Sequence, residues 1–222
     1  MAVDRTPLTP EQMLAALPEL PDWRPLPGAL RTAFRCASAR AALNLVAAIG
    51  DAAEELDHHP DVDWRYDTVF VATTTHSAGG RISPADLDLA RRVSALAADA
   101  TAVPERSRTV EIAVDTEDAA AVRPVWAAAL GYRESATGSL VDPDGRGPAI
   151  WFQQSSTPTA NRLHLDVHWE TGRAAAVVAE AEAGSGAASV ESPAASFTVV
   201  TDAQGNRLCV CTPDGRDDPT AP

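Results

Sequence analysis

The chain has 222 residues, enough for two domains of ordinary size, and its 45% hydrophobic content is that of a folded globular protein. No apolar run approaches the roughly 18 residues of a membrane span, and the first residues carry no leader pattern, so a cytoplasmic protein with no membrane partner is expected. The 18 basic residues are all Arg and face 31 acidic ones, and a net charge of −13 argues against nucleic acid as a partner.

In chain order, "LTPEQMLAAL" reads as a short helix. "SARAALNLVAAIGDAAEEL" reads as a longer one, with Ser38 as N-cap and Leu43, Val46, Ile49, Ala53 and Leu56 at helical spacing. Pro60 stops it. "VDWRY" and "TVFVATTTH" then alternate as two antiparallel strands, the first through Val62, Trp64 and Tyr66, the second with Phe70, Ala72, Thr74 and His76 in one phase. "SPADLDLARRVSALA" starts a further helix with Ser83 at N-cap, Pro84 at N1 and Asp86 at N3. The half is expected to be α+β, a small antiparallel sheet with helices on one face.

Three of the five histidines fall within "EELDHHPDVDWRYDTVFVATTTH". Imidazole exchanges a proton near neutral pH, so His58, His59 and His76 facing one pocket would supply both acid and base. Interaction of the pair with the helix C-terminus and simple solvation of His76 are the structural alternatives. Zinc is a third reading, although no Cys lies nearby.

The polar, Pro-containing stretch around residues 101–107 marks a seam between domains 1–103 and 107–215. Beyond it, "RTVEIAVDTEDAAAVRPVWAAALGY" and "NRLHLDVHWETGRAAAVVAEAEAGSG" repeat a strand, a polar turn and an Ala-rich helix. Each is followed by a hairpin, giving two βαβββ modules. Pro124 is expected to kink the first helix or delay its start. Glu111, Ala113 and Asp115 share one face of the first strand, as do His164, Asp166 and His168 on its repeat. The opposite face is apolar and expected to carry the helices. Trp126, Trp151 and Trp169 are read as packing residues. Cys36, Cys209 and Cys211 fit reduced thiols rather than a disulfide framework, with the Cys-x-Cys read as pointing to opposite faces.

Residues 9–98, through "ELPDWR", "EELDHHPDVDWRYDTVFVATTTH", "GG" and "SPADLDLA", resemble a pterin-4a-carbinolamine dehydratase. The resemblance implies dehydration of a 4a-hydroxytetrahydropterin to the quinonoid dihydropterin by histidine acid–base catalysis, with no cofactor required. It implies His58, His59, His76 and Asp86 as catalytic residues, and a pterin site lined by His58, His59, Pro60, Thr75, His76 and Ser77. Arg81 lengthens the turn before Asp86 by one residue relative to that family, which would displace Asp86 or bulge outward. A homodimer formed across an exposed sheet edge is a further implication.

Residues 108–213 resemble the vicinal oxygen chelate superfamily, in its glyoxalase-like branch, through the repeat, "VWAAALGY" and "DAQGNRLCV". The resemblance implies that the paired modules form a cup. The superfamily's four metal-ligand positions read Glu111, Trp151, His164 and Cys209. Trp cannot ligate, so a divalent metal would rest on Glu111, His164 and Cys209, against a metal-free pocket for a second small ligand. The rival to dehydration is a catalytically degenerate first domain with a cup that binds a small molecule or acts as a metal-dependent lyase or dioxygenase.

Overall fold

The structure, a computed structural model, describes residues 4–120, 123, 127, 132–135, 137–156, 163–184, 187–202 and 207–214. The chain divides into two units, the first ending at Ser107 and the second beginning at Arg108. No helix among the described residues is long and apolar enough to cross a membrane.

The first unit is built on strands β1 (Arg24–Leu26), β2 (Ala29–Arg35), β3 (Asp61–Arg65), β4 (Thr68–Thr73) and β5 (Thr101–Ala102). They pair antiparallel in the order β1-β2-β4-β3, with β5 also on β2. Helices α1 (Pro10–Ala16), α2 (Ala39–Leu56) and α3 (Pro84–Leu96) cover one face. Their core joins Leu45 and Ile49 of α2 and Leu89 and Val93 of α3 to Leu30, Phe34, Val69 and Val71 of the sheet, with Met13, Leu20 and Trp23 closing one end.

Local sequence explains the helix starts. Thr9 forms a capping box with Gln12, Ser38 accepts the Ala41 N–H at 3.1 Å, and Ser83 forms a capping box with Asp86 behind Pro84. The buried stripe of α2 is Ala42, Leu45, Ile49, Ala52 and Ala53. It is turned from the expected one: Leu43 and Val46 are only half-buried, while Leu45 and Ile49 enter the core shared with α3 and the sheet.

Two expected boundaries move. Tyr66 leaves the strand for the β3–β4 turn, at φ 55°. The second strand stops at Thr73 rather than reaching His76, because Thr75 bridges to Arg81 and a 3-10 turn takes over at His76–Ala78.

The second unit is one eight-stranded sheet. Strand β6 (Thr109–Thr116) is followed by β7 (Arg133–Glu134), β8 (Leu140–Val141) and β9 (Ala149–Gln154). The repeat runs β10 (Leu163–His168), the helix Thr171–Gly184, β11 (Ala187–Ala194), β12 (Phe197–Asp202) and β13 (Arg207–Cys211). The order β11-β12-β13-β10-β6-β9-β8-β7 is two like modules meeting at an antiparallel β6–β10 seam, with β6 parallel to β9 and β10 parallel to β13. The expected first helix of this half lies largely outside the described residues, as do Pro124 and Trp126.

Helices take the apolar face: Ala174, Val177 and Val178 pack on Val200, Val210 and Trp169, while Ala127 packs with Val114, Ile150 and Phe152. On the opposite face Glu111 is 3%, Asp166 5% and His168 1% exposed, the burial expected of a sheet curled into a cup. Cys209 and Cys211 both belong to this face, clustering with Val199 and Phe197. Residues two apart on a strand share a face, so the opposite-face reading of the Cys-x-Cys is corrected. All three cysteines are buried and outside any disulfide.

Candidate functional site

The end of α2 divides its two histidines. Asp57 adopts the left-handed conformation at φ 49°, held by Arg5, which donates to its carbonyl at 2.6 Å and its carboxylate at 2.9 Å. The His58 N–H then returns to the Ala53 carbonyl at 3.1 Å, a left-handed helix stop that turns the His58 ring inward. Pro60 keeps His59 extended, and neighbouring extended residues point apart. His58 is therefore buried at 6% exposure, whereas His59 is exposed and pairs with Glu54 at 2.9 Å.

Beneath His58, the start of α3 supplies Asp86 and the end of β4 supplies Thr73. His58 Nε2 lies 2.7 Å from Asp86 Oδ1, which also accepts the Thr73 hydroxyl at 2.6 Å. Asp86 Oδ2 accepts the Thr75 hydroxyl at 2.7 Å and the Ser83 N–H at 2.8 Å. Asp86 is fully buried. Burial by itself would raise its pKa, but hydrogen bonds from His58, Thr73, Thr75 and the Ser83 backbone outweigh it and hold the carboxyl below the ordinary value. An ionised carboxylate only accepts, so Nε2 of His58 carries the proton, leaving Nδ1 as the nitrogen free for proton exchange when the ring is neutral.

The turn that carries Arg81 leaves Asp86 within reach of His58. Gly79 and Gly80, at φ 75° and 78°, shape it where a side chain would be strained, and the Thr75 N–H meets the Arg81 carbonyl at 3.1 Å. Arg81 stands exposed at the surface.

Of the expected site residues, His58 and Asp86 come together, while His76 and Ser77 lie exposed on the 3-10 turn and Pro60 is half-buried. Thr75 was expected to line the pterin site, yet it is 1% exposed and its hydroxyl is spent on Asp86 and Ser83, so it supports the site from within. Thr73 was missed. Its signal was a hydroxyl at the strand end in the buried phase of Val69 and Val71.

In the second unit, Trp151 donates its indole N–H to Asp166 Oδ2 at 2.9 Å and meets the His164 ring edge-on, with centroids 6.0 Å apart. Burial, with the Asp166 charge alongside, pushes the Cys209 thiol up to about 12. Glu111 is paired with buried His168. His164, Asp166 and Cys209 have donor atoms within 4.8 Å of one another, and they form the candidate metal-binding group among the described residues. Asp166 stands there in place of the expected Glu111.

Residues 6–96 match the family model "Pterin 4 alpha carbinolamine dehydratase". A Streptomyces coelicolor relative named "Putative pterin-4-alpha-carbinolamine dehydratase" is 44% identical over 92 residues, which cover 41% of this chain and 91% of the relative. The chain belongs to the pterin-4a-carbinolamine dehydratase family. The family domain is joined here to a second one: residues 111–211 match the model "Glyoxalase-like domain". Among solved structures, a transcriptional coactivator/pterin dehydratase from Brucella melitensis is similar at 31% identity and TM-score 0.40, covering 41% of this chain and 99% of that one. A glyoxalase/bleomycin resistance protein/dioxygenase superfamily member from Vibrio splendidus is similar at 13% identity and TM-score 0.32, covering 48% of this chain and 99% of that one.

Proposed function

We propose that the dehydratase-family domain eliminates water from a 4a-hydroxytetrahydropterin. The C4a–O bond breaks as the departing hydroxyl takes up a proton and leaves as water. N5 gives up its proton, and its electron pair forms the C4a=N5 bond of the quinonoid dihydropterin. No redox change occurs, so no cofactor is needed.

The observation that carries this reading is the buried His58–Asp86 pair. Asp86 fixes the tautomer and orientation of His58, and Nδ1 exchanges the proton with the pterin. His59, exposed and paired with Glu54, and His76, exposed on the 3-10 turn, complete the acid–base set, with Pro60 and Ser77 beside the pterin. The test is dehydration of enzymatically generated 4a-hydroxytetrahydropterin, followed by absorbance with the full-length protein. A rate above the uncatalysed one supports the reading; folded protein that gives none refutes it and favours a binding-only domain.

Strand β3 lies at the edge of the sheet with Trp64 44% exposed, and it is the proposed pairing edge for a second copy of the chain. A mass of one chain by light scattering at micromolar concentration would contradict that. Three buried cysteines outside any disulfide support a reducing compartment, the cytoplasm.

The glyoxalase-like domain is proposed to hold a second small ligand on its polar face. A metal on Glu111, His164 and Cys209 does not fit this chain, because Glu111 is engaged with His168 and Trp151 fills the fourth position with a side chain that cannot ligate.

A further inference from the structure

We propose that the glyoxalase-like domain binds a zinc-class divalent metal through His164, Asp166 and Cys209, a set on two adjacent strands of one module. The inference rests on reading this unit as a ligand-holding cup. It departs from the arrangement with one ligand on each of four strands.

Three observations carry it. First, Asp166 Oδ1 is buried without a hydrogen-bond partner, in a residue only 5% exposed. A buried carboxylate oxygen left unsatisfied is costly unless something charged meets it. The His164 Nε2 beside it is 3.4 Å away and outside hydrogen-bonding geometry. Two ligands of one tetrahedral ion, at bond lengths of about 2.0–2.2 Å, stand about 3.4 Å apart.

Second, strand register sets the third donor beside them. Asp166 and Cys209 are direct partners across the parallel β10–β13 pair, and His164 lies two residues back on the same face. The donors span imidazole nitrogen, carboxylate oxygen and thiolate sulfur, a set that suits zinc or cobalt and disfavours magnesium or calcium. Coordination exchanges the Cys209 S–H proton for the metal, and the proton leaves to solvent.

Third, the surroundings already orient the donors. Trp151 holds Asp166 Oδ2, which leaves Oδ1 for the ion. On the far side of His164, Nδ1 faces Asp115 Oδ1 at 4.0 Å, and that oxygen too is buried without a hydrogen-bond partner. A carboxylate behind a ligating imidazole is the usual second layer of a zinc site. The module repeat explains the shift. At the 53-residue offset that relates Glu111 to His164, Asp166 corresponds to Ala113, and Cys209 pairs with Asp166 as Trp151 pairs with Ala113. The first module thus keeps neither a carboxylate nor a thiol at those positions.

Co²⁺ titrated into chelator-treated full-length protein tests the assignment. The expected result is one equivalent bound, with a near-ultraviolet sulfur-to-cobalt charge-transfer band and visible bands of a four-coordinate ion. Cys209→Ser removes the charge-transfer band, Asp166→Asn weakens binding about 10-fold or more, and Cys211→Ser and Glu111→Gln bind as the wild type does. A charge-transfer band that survives Cys209→Ser, or Glu111→Gln losing as much affinity as Asp166→Asn, overturns the trio. So does no band from wild type whose near-ultraviolet circular dichroism is intact; that result leaves the small-ligand reading standing. Loss of the tryptophan dichroism on chelation would instead make the metal part of the fold, and supports the trio if Co²⁺ restores it with the band.

Discussion

Nε2 of His58 stands 2.7 Å from Oδ1 of Asp86, joining the residue just past the end of one helix to the first turn of another across 28 residues of sequence. The same carboxylate caps its own helix through the Ser83 N–H. One residue therefore fixes both the start of α3 and the tautomer of His58.

Asp86→Asn separates those two roles. An amide still accepts from the Ser83 N–H, but the NH2 it then turns toward His58 cannot accept the Nε2 proton and no longer fixes that tautomer. The dehydration rate constant is expected to fall on the order of 10²-fold, with little change in KM for the pterin. Steady-state kinetics on full-length protein would show it, and an equal rise in KM with unchanged kcat would contradict the orienting role.

Acid sensitivity carries a defined sign. The Asp86 carboxyl is held below its ordinary value of 3.8, so its ionised form stabilises the folded state. That contribution is complete above the unfolded value and is lost as pH falls through the lower, folded one. Urea unfolding should find the wild type's advantage over Asp86→Asn shrinking as pH falls below about 4. An advantage that grew between about pH 4 and pH 2 would reverse the sign and the assignment.

Removing the Thr73 hydroxyl, buried and bonded to an ionised carboxylate, tests the support beneath His58. Thr73→Val is close in shape and is expected to cost about 2 kcal/mol by chemical denaturation, the scale of a hydrogen bond to a charge.

Much of this was legible before any coordinates. Ser38, Ser83, Pro84 and Asp86 announce their helix starts through local chemistry, and the β6–β9 and β10–β13 modules follow from a repeat in the chain. The fates of His58 and His59 were not, because a left-handed Asp57 and the tether from Arg5 decide which ring turns inward. Nor was the pairing of Glu111 with His168, since diagonal contacts across β6 and β10 depend on a register that spacing within one strand does not reveal.

The Gly79–Gly80 turn before α3 can be tested by itself. A Cβ added at Gly79 or Gly80 meets nothing within 4 Å, so any cost of Gly→Ala is backbone strain at positive φ. Each replacement should destabilise by about 1 kcal/mol while sparing most of the activity. A loss of activity larger than the loss of stability would mean that the turn, rather than Asp86 alone, shapes the pterin site.

Cys209, with its thiol pushed up to about 12, should resist alkylation in chelator-treated native protein at pH 8 and react on unfolding. Mass spectrometry of iodoacetamide-treated samples distinguishes the two states. Rapid native labelling of Cys209 would contradict its burial beside Asp166.

The most direct measurement compares full-length wild type with His58→Ala in dehydrating 4a-hydroxytetrahydropterin, both checked for fold by circular dichroism. The account predicts catalysis by the wild type and a fall on the order of 10²-fold or more in the variant. A folded His58→Ala protein as fast as the wild type would contradict the central role given to the buried imidazole.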